Sequence, residues 1–163
     1  MQDRFDACLA EVLRHEGGYV DDPRDRGGAT NLGLTLASFS QGLGRAASVA
    51  ELKALTPEGA APIYRRLYWR LAGCGDLPPG LDLMVFDTAV NMGVGEARRL
   101  LRAAGQGSVG ILIRRMNALR AARYRALRAF DVFGAGWMRR LAEVTAKALA
   151  EAAQPPHEEG AIA

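Results

Sequence analysis

The sequence predicts a mainly α-helical domain, and two observations lead to that prediction. Apolar residues recur at spacings of three and four in several long segments, which is the pattern of amphipathic or buried helices. The stretch over residues 17–33 lacks this spacing and is rich in glycine, so it predicts a turn-rich loop or a small irregular β-hairpin. At 163 residues, the chain is long enough to bury the core of one ordinary domain.

The first predicted helix, over residues 3–16, carries the first candidate catalytic group. Its apolar face comprises Phe5, Cys8, Leu9, Val12 and Leu13. Glu16 continues this face, and Gly17 follows it, as is common where a helix ends. Partial burial and the negative end of the helix dipole both disfavour a carboxylate, so we expect a raised pKa for Glu16. A carboxylic acid that stays protonated near neutral pH is what cleavage of a glycosidic bond needs as general acid.

The glycine-rich loop that follows carries two more candidate groups. Asp25 lies nine positions after Glu16, and Thr30 lies five positions after Asp25. Glycine allows the backbone to fold back, so both side chains could face Glu16 across a cleft. A carboxylate and a hydroxyl opposite a protonated glutamic acid can hold and activate water against a sugar carbon.

Several helices are predicted beyond the loop from their caps and spacing. Thr35 and Gly44 bound a helix over residues 36–43, and Ser48 opens a capping box with Glu51. Further helices are predicted over residues 57–71, 81–92, 96–104, 109–130 and 137–152, with a break at Gly134 and Gly136. The helix over 57–71 should turn Ile63, Leu67 and Leu71 inward, and we favour core packing over sugar stacking for Tyr64, Tyr68 and Trp69.

Two stretches of the sequence resemble those of a known family. The run HEGGYVDDPRDRGGATNLGLT, residues 15–35, is similar to the signature of glycoside hydrolase family 108, which groups phage and bacterial N-acetylmuramidases. The run GLDLMVFDTAVNMG, residues 80–93, is similar to the start of the peptidoglycan-binding region that follows the catalytic part in this family. The resemblance implies a lysozyme-like helical domain. It divides the chain into a catalytic part over 1–72 and a shortened binding region over 80–152 packed against it. The proline-containing stretch over 153–163 is predicted from its composition to be a disordered tail.

The resemblance also implies an activity, the cleavage of the β-1,4 bond between N-acetylmuramic acid and N-acetylglucosamine. The family's catalytic glutamate falls on Glu16, and the order Glu, Asp, Thr of some phage lysozymes falls on Glu16, Asp25 and Thr30. The residues predicted to contact substrate are Tyr19, Asn31, Asp87 and Asn91. For the last two, which lie one turn apart on a largely apolar helix, a structural role in capping helices or holding the loop is an equal alternative.

The charge distribution and the composition indicate which binding partners and cofactors to expect. Residues 1–95 carry nine basic and twelve acidic side chains, and residues 96–163 carry twelve basic and six acidic. The basic half suits an anionic envelope polymer besides peptidoglycan, although solvated helix faces explain it equally well. Two isolated cysteines and two histidines offer no metal site, so we expect no cofactor. The sequence has no evident helix-turn-helix or aromatic-basic motif, so we do not expect nucleic-acid binding.

The sequence also leads to expectations about compartment and to rival functions. It has no apolar run long enough for a membrane span and no signal-peptide core. We therefore expect synthesis in the cytoplasm and action on the cell wall or periplasm after release by a holin or a specialised secretion path, as for a phage-type endolysin. The rivals are a lytic transglycosylase, which needs no water-holding aspartate, and an inactive wall-binding or secretion-accessory protein.

Overall fold

The computed structural model describes residues 4–21 and 28–154. This part of the chain is mainly helical, with one small antiparallel hairpin, so the predicted fold class is confirmed. The hairpin strands are β1 (Thr30–Asn31) and β2 (Leu34–Thr35). The α-helices are α1 (Phe5–His15), α2 (Leu36–Leu43), α3 (Val49–Lys53), α4 (Pro57–Tyr64), α5 (Arg70–Ala72), α6 (Leu81–Met92), α7 (Val94–Ala104), α8 (Val109–Arg125) and α9 (Phe130–Ala152).

The short helices after the hairpin begin and end where their caps predict. The Thr35 hydroxyl accepts a hydrogen bond from the backbone N–H of Ser38, and Gly44 ends α2 in the left-handed conformation. Ser48 and Glu51 form the predicted capping box at the start of α3. Because each cap bonds within three residues of itself, the local sequence is sufficient to determine these boundaries.

The segment that follows α4 departs from a regular α-helix. Residues Arg65–Trp69 form a π-helical turn between α4 and α5, which places one extra residue in the turn. The face of the helix therefore shifts, so that Trp69 and Ala72 are buried while Leu71 is 56% exposed. The prediction that Leu71 points inward is wrong for this reason. Core packing is confirmed for Tyr64 and Trp69, both of which are buried.

Helix α6 is the centre of the core. Its residues from Leu81 to Ala89 are all buried, and Phe86 packs edge-on against the ring of Trp69. At its start, Gly80 lies against α9 so closely that a Cβ there would be 2.1 Å from the carbonyl oxygen of Ala148. This close approach lets α9 pack along α6, and one hydrophobic core extends from Phe5 to Ala148.

The last two helices differ from their predicted bounds. Helix α8 ends at Arg125, and α9 starts at Phe130 and continues through Gly134 and Gly136, so the predicted break is wrong. The lack of a side chain at Gly134 leaves room for the ring of Phe130 and does not form a turn, since a Cβ there would be 2.6 Å from that ring. Of the predicted tail, residues 155–163 lie outside the described part of the chain.

Candidate active site

Glu16 lies at the point where α1 meets the hairpin. Helix α1 ends at His15, and Glu16 has extended backbone with its N–H bonded to the carbonyl of Leu13. The Glu16 side chain is 16% exposed, which is partial burial as the apolar face of the helix predicts. Its Oε2 atom faces the hairpin turn, where a Cβ added to Gly33 would be only 2.5 Å away.

The hairpin is held against Glu16 from two sides. Val20 and Thr30 exchange two backbone hydrogen bonds of 2.9 and 2.8 Å, which tie the chain just after α1 to β1. The Tyr64 hydroxyl donates a 2.6 Å hydrogen bond to the carbonyl of Leu32 in the turn. Leu32 has a φ of 48° and Gly33 a φ of 74°, so the turn uses left-handed backbone at both positions.

Asn31 supports the hairpin from within. It is 5% exposed, and its amide nitrogen lies 2.9 Å from the carbonyl of Leu52 and 3.3 Å from those of Lys53 and Leu55. These contacts anchor β1 to the end of α3. The donor group of Asn31 is therefore used by the protein itself, and the substrate contact predicted for Asn31 stays a prediction.

Two arginines connect Glu16 to the core, and neither is among the site residues predicted from the sequence. The Arg140 Nη1 atom of α9 donates a 2.7 Å hydrogen bond to Glu16 Oε1. Its Nε and Nη2 atoms donate to Asp87 Oδ1 of α6, at 2.9 and 2.7 Å. On the other side, Arg120 Nη1 of α8 lies 2.6 Å from Asp87 Oδ2, and both of these side chains are fully buried. We call these four residues, Glu16, Arg140, Asp87 and Arg120, the buried charge cluster.

The electrostatics of this cluster follow from burial and pairing. Burial by itself would raise the pKa of Asp87, but Arg120 and Arg140 outweigh it and hold that pKa below its ordinary value. Burial would lower the pKa of Arg140, but the charges of Asp87 and Glu16 outweigh it and raise it. Burial, followed by the negative charge of Glu16, raises the pKa of Tyr64, so this hydroxyl remains a hydrogen-bond donor beside the carboxyl group.

Asp87 and Arg120 both have structural positions in this cluster. Asp87 has no exposed surface and connects to the site through Arg140, which favours the structural alternative weighed for it; the substrate contact predicted for Asp87 stays a prediction. Arg120 belongs to the basic half of the chain, for which solvated helix faces were one expectation, but it is fully buried, and Ile113, Met116 and Tyr124 share its buried face.

Asn91 lies at the far end of the same network. Its Oδ1 accepts a hydrogen bond of 2.5 Å from the Tyr124 hydroxyl, which in turn accepts one from Arg120 Nε. Asn91 is exposed and lines an open groove of about 380 Å³ together with Met92, Glu96, Arg123, Tyr124, Leu127 and Trp137. The substrate contact predicted for Asn91 is compatible with this position and stays a prediction.

The remaining predicted residues lie in or next to the hairpin region. Thr30 is partly exposed and pairs with Thr35 across the hairpin. Tyr19 is partly exposed, and its hydroxyl is 3.2 Å from Asp21 Oδ2, while Lys53 lies over its ring. Asp25 falls outside the described residues, so its position relative to Glu16 stays a prediction.

A sequence signal for the two arginines existed. Arg140 lies three residues after Trp137 and four before the buried Val144, a spacing that puts it on the apolar face of α9. Arg120 lies four residues after Met116 and four before Tyr124, which puts it on their face of α8. A buried aspartate requires a partner, and an arginine on an apolar face is the natural candidate.

The described residues contain neither a candidate metal cluster nor a candidate membrane span. No group of three or more His, Cys, Asp or Glu side chains in residues 4–21 and 28–154 is placed to hold a metal ion. None of the helices in that part of the chain is long and apolar enough to cross a membrane.

Comparison with known proteins identifies the family to which this arrangement belongs. The family model for Glycosyl hydrolase 108 matches residues 9–93, the region that contains Glu16, the hairpin and α6. The chain belongs to glycosyl hydrolase family 108. The solved structure of Brucella abortus SagA is similar at 36% identity and a TM-score of 0.83, and the match covers 94% of this chain and 98% of that one. A comparison with curated proteins finds no match.

Membership of glycosyl hydrolase family 108 makes this protein a glycoside hydrolase of a family that acts on peptidoglycan. The family match over residues 9–93 ends before Arg120 and Arg140, the two arginines of the buried charge cluster. The similarity to SagA extends over nearly the whole chain, so it includes the helices that carry them.

Proposed function

We propose that this family 108 hydrolase is an N-acetylmuramidase, an endolysin-type enzyme that cleaves the β-1,4 bond between N-acetylmuramic acid and N-acetylglucosamine with Glu16 as general acid. The observation that carries the proposal is the placement of Glu16. One carboxyl oxygen is held by Arg140, the other faces the hairpin, and the side chain as a whole is 16% exposed. A proton donor in a glycosidase must be fixed in orientation and reachable by the glycosidic oxygen; the contact with Arg140 supports the first condition, and the partial exposure of the side chain supports the second.

The roles of the two carboxyl oxygens follow from their contacts. Oε1 accepts from Arg140, so the transferable proton belongs on Oε2, the oxygen next to Gly33. Oε2 gives this proton to the glycosidic oxygen, which also takes the electron pair of the breaking bond to the sugar carbon. Asp25 and Thr30 are the groups we propose to hold the water that attacks this carbon from the opposite face. The Asp25 carboxylate takes a proton from this water as the new C–O bond forms, which leads to inversion of the anomeric configuration.

The products of digestion test the reaction. On purified peptidoglycan, we expect fragments with reducing N-acetylmuramic acid ends, because water completes the reaction. A lytic transglycosylase would instead leave 1,6-anhydro ends, since the muramic acid 6-hydroxyl attacks in place of water. Mass spectrometry of the released fragments distinguishes the two, and predominantly anhydro ends would contradict the hydrolase proposal while leaving Glu16 as the proton donor.

The same assay tests Asp25. Asp25→Asn should lower kcat by about a hundredfold or more and change KM little, because the group acts in the transition state. The exposed Asp21 in the same loop provides the control. Asp21→Asn removes an equal charge nearby and should leave kcat within a few-fold of the wild type. A fully active Asp25→Asn variant would remove Asp25 from the mechanism.

The basic C-terminal half is proposed to attract anionic polymers of the envelope. Arg114, Arg125 and Arg128 are exposed on or just after α8, whereas Arg115 donates to the carbonyls of Ala104 and Gln106 in the α7–α8 connection. Replacing Arg114, Arg125 and Arg128 with Gln should weaken binding to intact sacculi and flatten its dependence on salt. Turnover of short soluble glycans should not change, and an equal loss on both substrates would contradict the proposal.

A further inference from the structure

Arg140 contacts two carboxylates, and it does so unequally. Two of its nitrogens, Nε and Nη2, donate to Asp87 Oδ1, while Nη1 alone donates to Glu16 Oε1. Asp87 is itself held by Arg120 on its other oxygen. The side chain of Arg140 is therefore oriented from the core, and its third nitrogen is presented to the carboxyl group at the site.

Arg140 keeps a carboxylate partner in both protonation states of Glu16. With Glu16 ionised, two cations face two anions. With Glu16 protonated, Arg140 still has Asp87 as its counter-ion, so no buried arginine loses its only partner. Glu16 can thus change its charge during a reaction cycle without any rearrangement of the side chains that hold it.

We propose that Arg140 is a positioning residue for the reaction. It fixes the orientation of Glu16 and stabilises the carboxylate that forms as Glu16 gives its proton away, while Asp87 and Arg120 keep Arg140 in place. This inference rests on the proposed function of Glu16 as general acid. A preorganised donor aimed at a group on which negative charge develops lowers the barrier, because nothing has to reorient during the step.

The alternative is that Arg140 only joins helices, and Arg4 provides a matched control. Arg4 also bridges two carboxylates, Asp82 at 2.7 Å near the start of α6 and Glu151 near the end of α9, away from Glu16. Its side chain is 26% exposed and that of Arg140 is 11% exposed. Removing either arginine breaks an ion pair between helices, and only the removal of Arg140 changes the surroundings of Glu16.

The experiment measures kcat, KM and melting temperature for Arg140→Gln, Arg140→Lys and Arg4→Gln on soluble peptidoglycan fragments. We expect Arg140→Gln to lower kcat at least about tenfold and to leave KM within about threefold, since a charge-assisted hydrogen bond to the reacting group is lost. Arg140→Lys should retain part of the wild-type kcat, because an ammonium group keeps the charge but cannot donate to both carboxylates as the guanidinium does. Arg4→Gln should lower the melting temperature and leave kcat unchanged.

Several outcomes would overturn the inference. A folded Arg140→Gln variant with wild-type kcat would do so, and so would a loss of kcat that Arg4→Gln reproduces. If Arg140→Gln does not fold, Arg140→Lys decides, because wild-type kcat in that variant would show that the guanidinium is not needed. A wild-type protein that releases no reducing ends would refute the proposed function instead, so the two failures can be told apart.

Discussion

Glu16→Gln is expected to abolish glycan cleavage and to leave the fold intact. The amide has nearly the same shape as the carboxyl group, and its oxygen can still accept from Arg140 Nη1. It has no proton to donate at neutral pH, so we expect activity to fall at least about a thousandfold, within the range that general acid catalysis contributes. The release of reducing ends from purified peptidoglycan measures this loss.

Glu11 provides the control for that experiment. It lies on α1, five residues before Glu16; its side chain is 11% exposed, and it is 3.5 Å from both Arg14 and His15. Glu11→Gln removes a carboxylate of similar burial and should keep wild-type turnover. Circular dichroism and melting curves establish that both variants are folded. Cleavage by folded Glu16→Gln at a rate near that of the wild type would show that Glu16 has been assigned the wrong role.

Gly33→Ala is expected to lower kcat strongly, because it acts directly on the Glu16 carboxyl group. The added Cβ would lie 2.5 Å from Glu16 Oε2 and 2.7 Å from the Tyr64 hydroxyl, so at least one of these groups has to move. A displacement of about 1 Å in a catalytic group can cost about a hundredfold in rate, and we expect a loss of kcat of at least that size. Kinetics on soluble fragments measure it.

Gly44→Ala separates this contact from backbone strain. Gly44 has a φ of 72°, close to the 74° of Gly33, but a Cβ there would meet no atom within 4 Å. Both substitutions place an alanine in left-handed backbone, which costs about 1–2 kcal/mol of folding free energy. Only Gly33→Ala should also impair catalysis. If both variants lose stability equally and keep full kcat, the hairpin turn does not hold Glu16 in its active position.

Much of the fold could be predicted because its signals are local. Thr35, Ser48 and Thr56 each accept a hydrogen bond from a backbone N–H three residues later, and these bonds determine where α2, α3 and α4 begin. The position of Glu16 on the apolar side of α1 also follows from spacing within a few residues. Such features need no knowledge of which helices pack together.

The wrong predictions concern helix geometry and packing that residue spacing does not show. Leu71 faces outward because a π-helical turn shifts the helix face, and Gly134 continues α9 because its missing side chain makes room for the Phe130 ring. Spacing also leaves the roles of Asp87 and Asn31 open, since their polar groups can bind substrate or protein and either choice satisfies the same donors and acceptors. Only packing decides between these alternatives.

The sequence by itself determined the helical elements, the loop motif and Glu16 as the candidate acid. Only the tertiary structure decided what holds this acid, since Arg140 lies 124 residues from Glu16 and 53 from Asp87 along the chain. Local hydrogen bonds and helical periodicity depend only on residues that are close together in the sequence. The partner of a buried charge depends instead on which helices pack face to face, and burial makes that pairing obligatory because an unpaired charge in the core costs too much free energy.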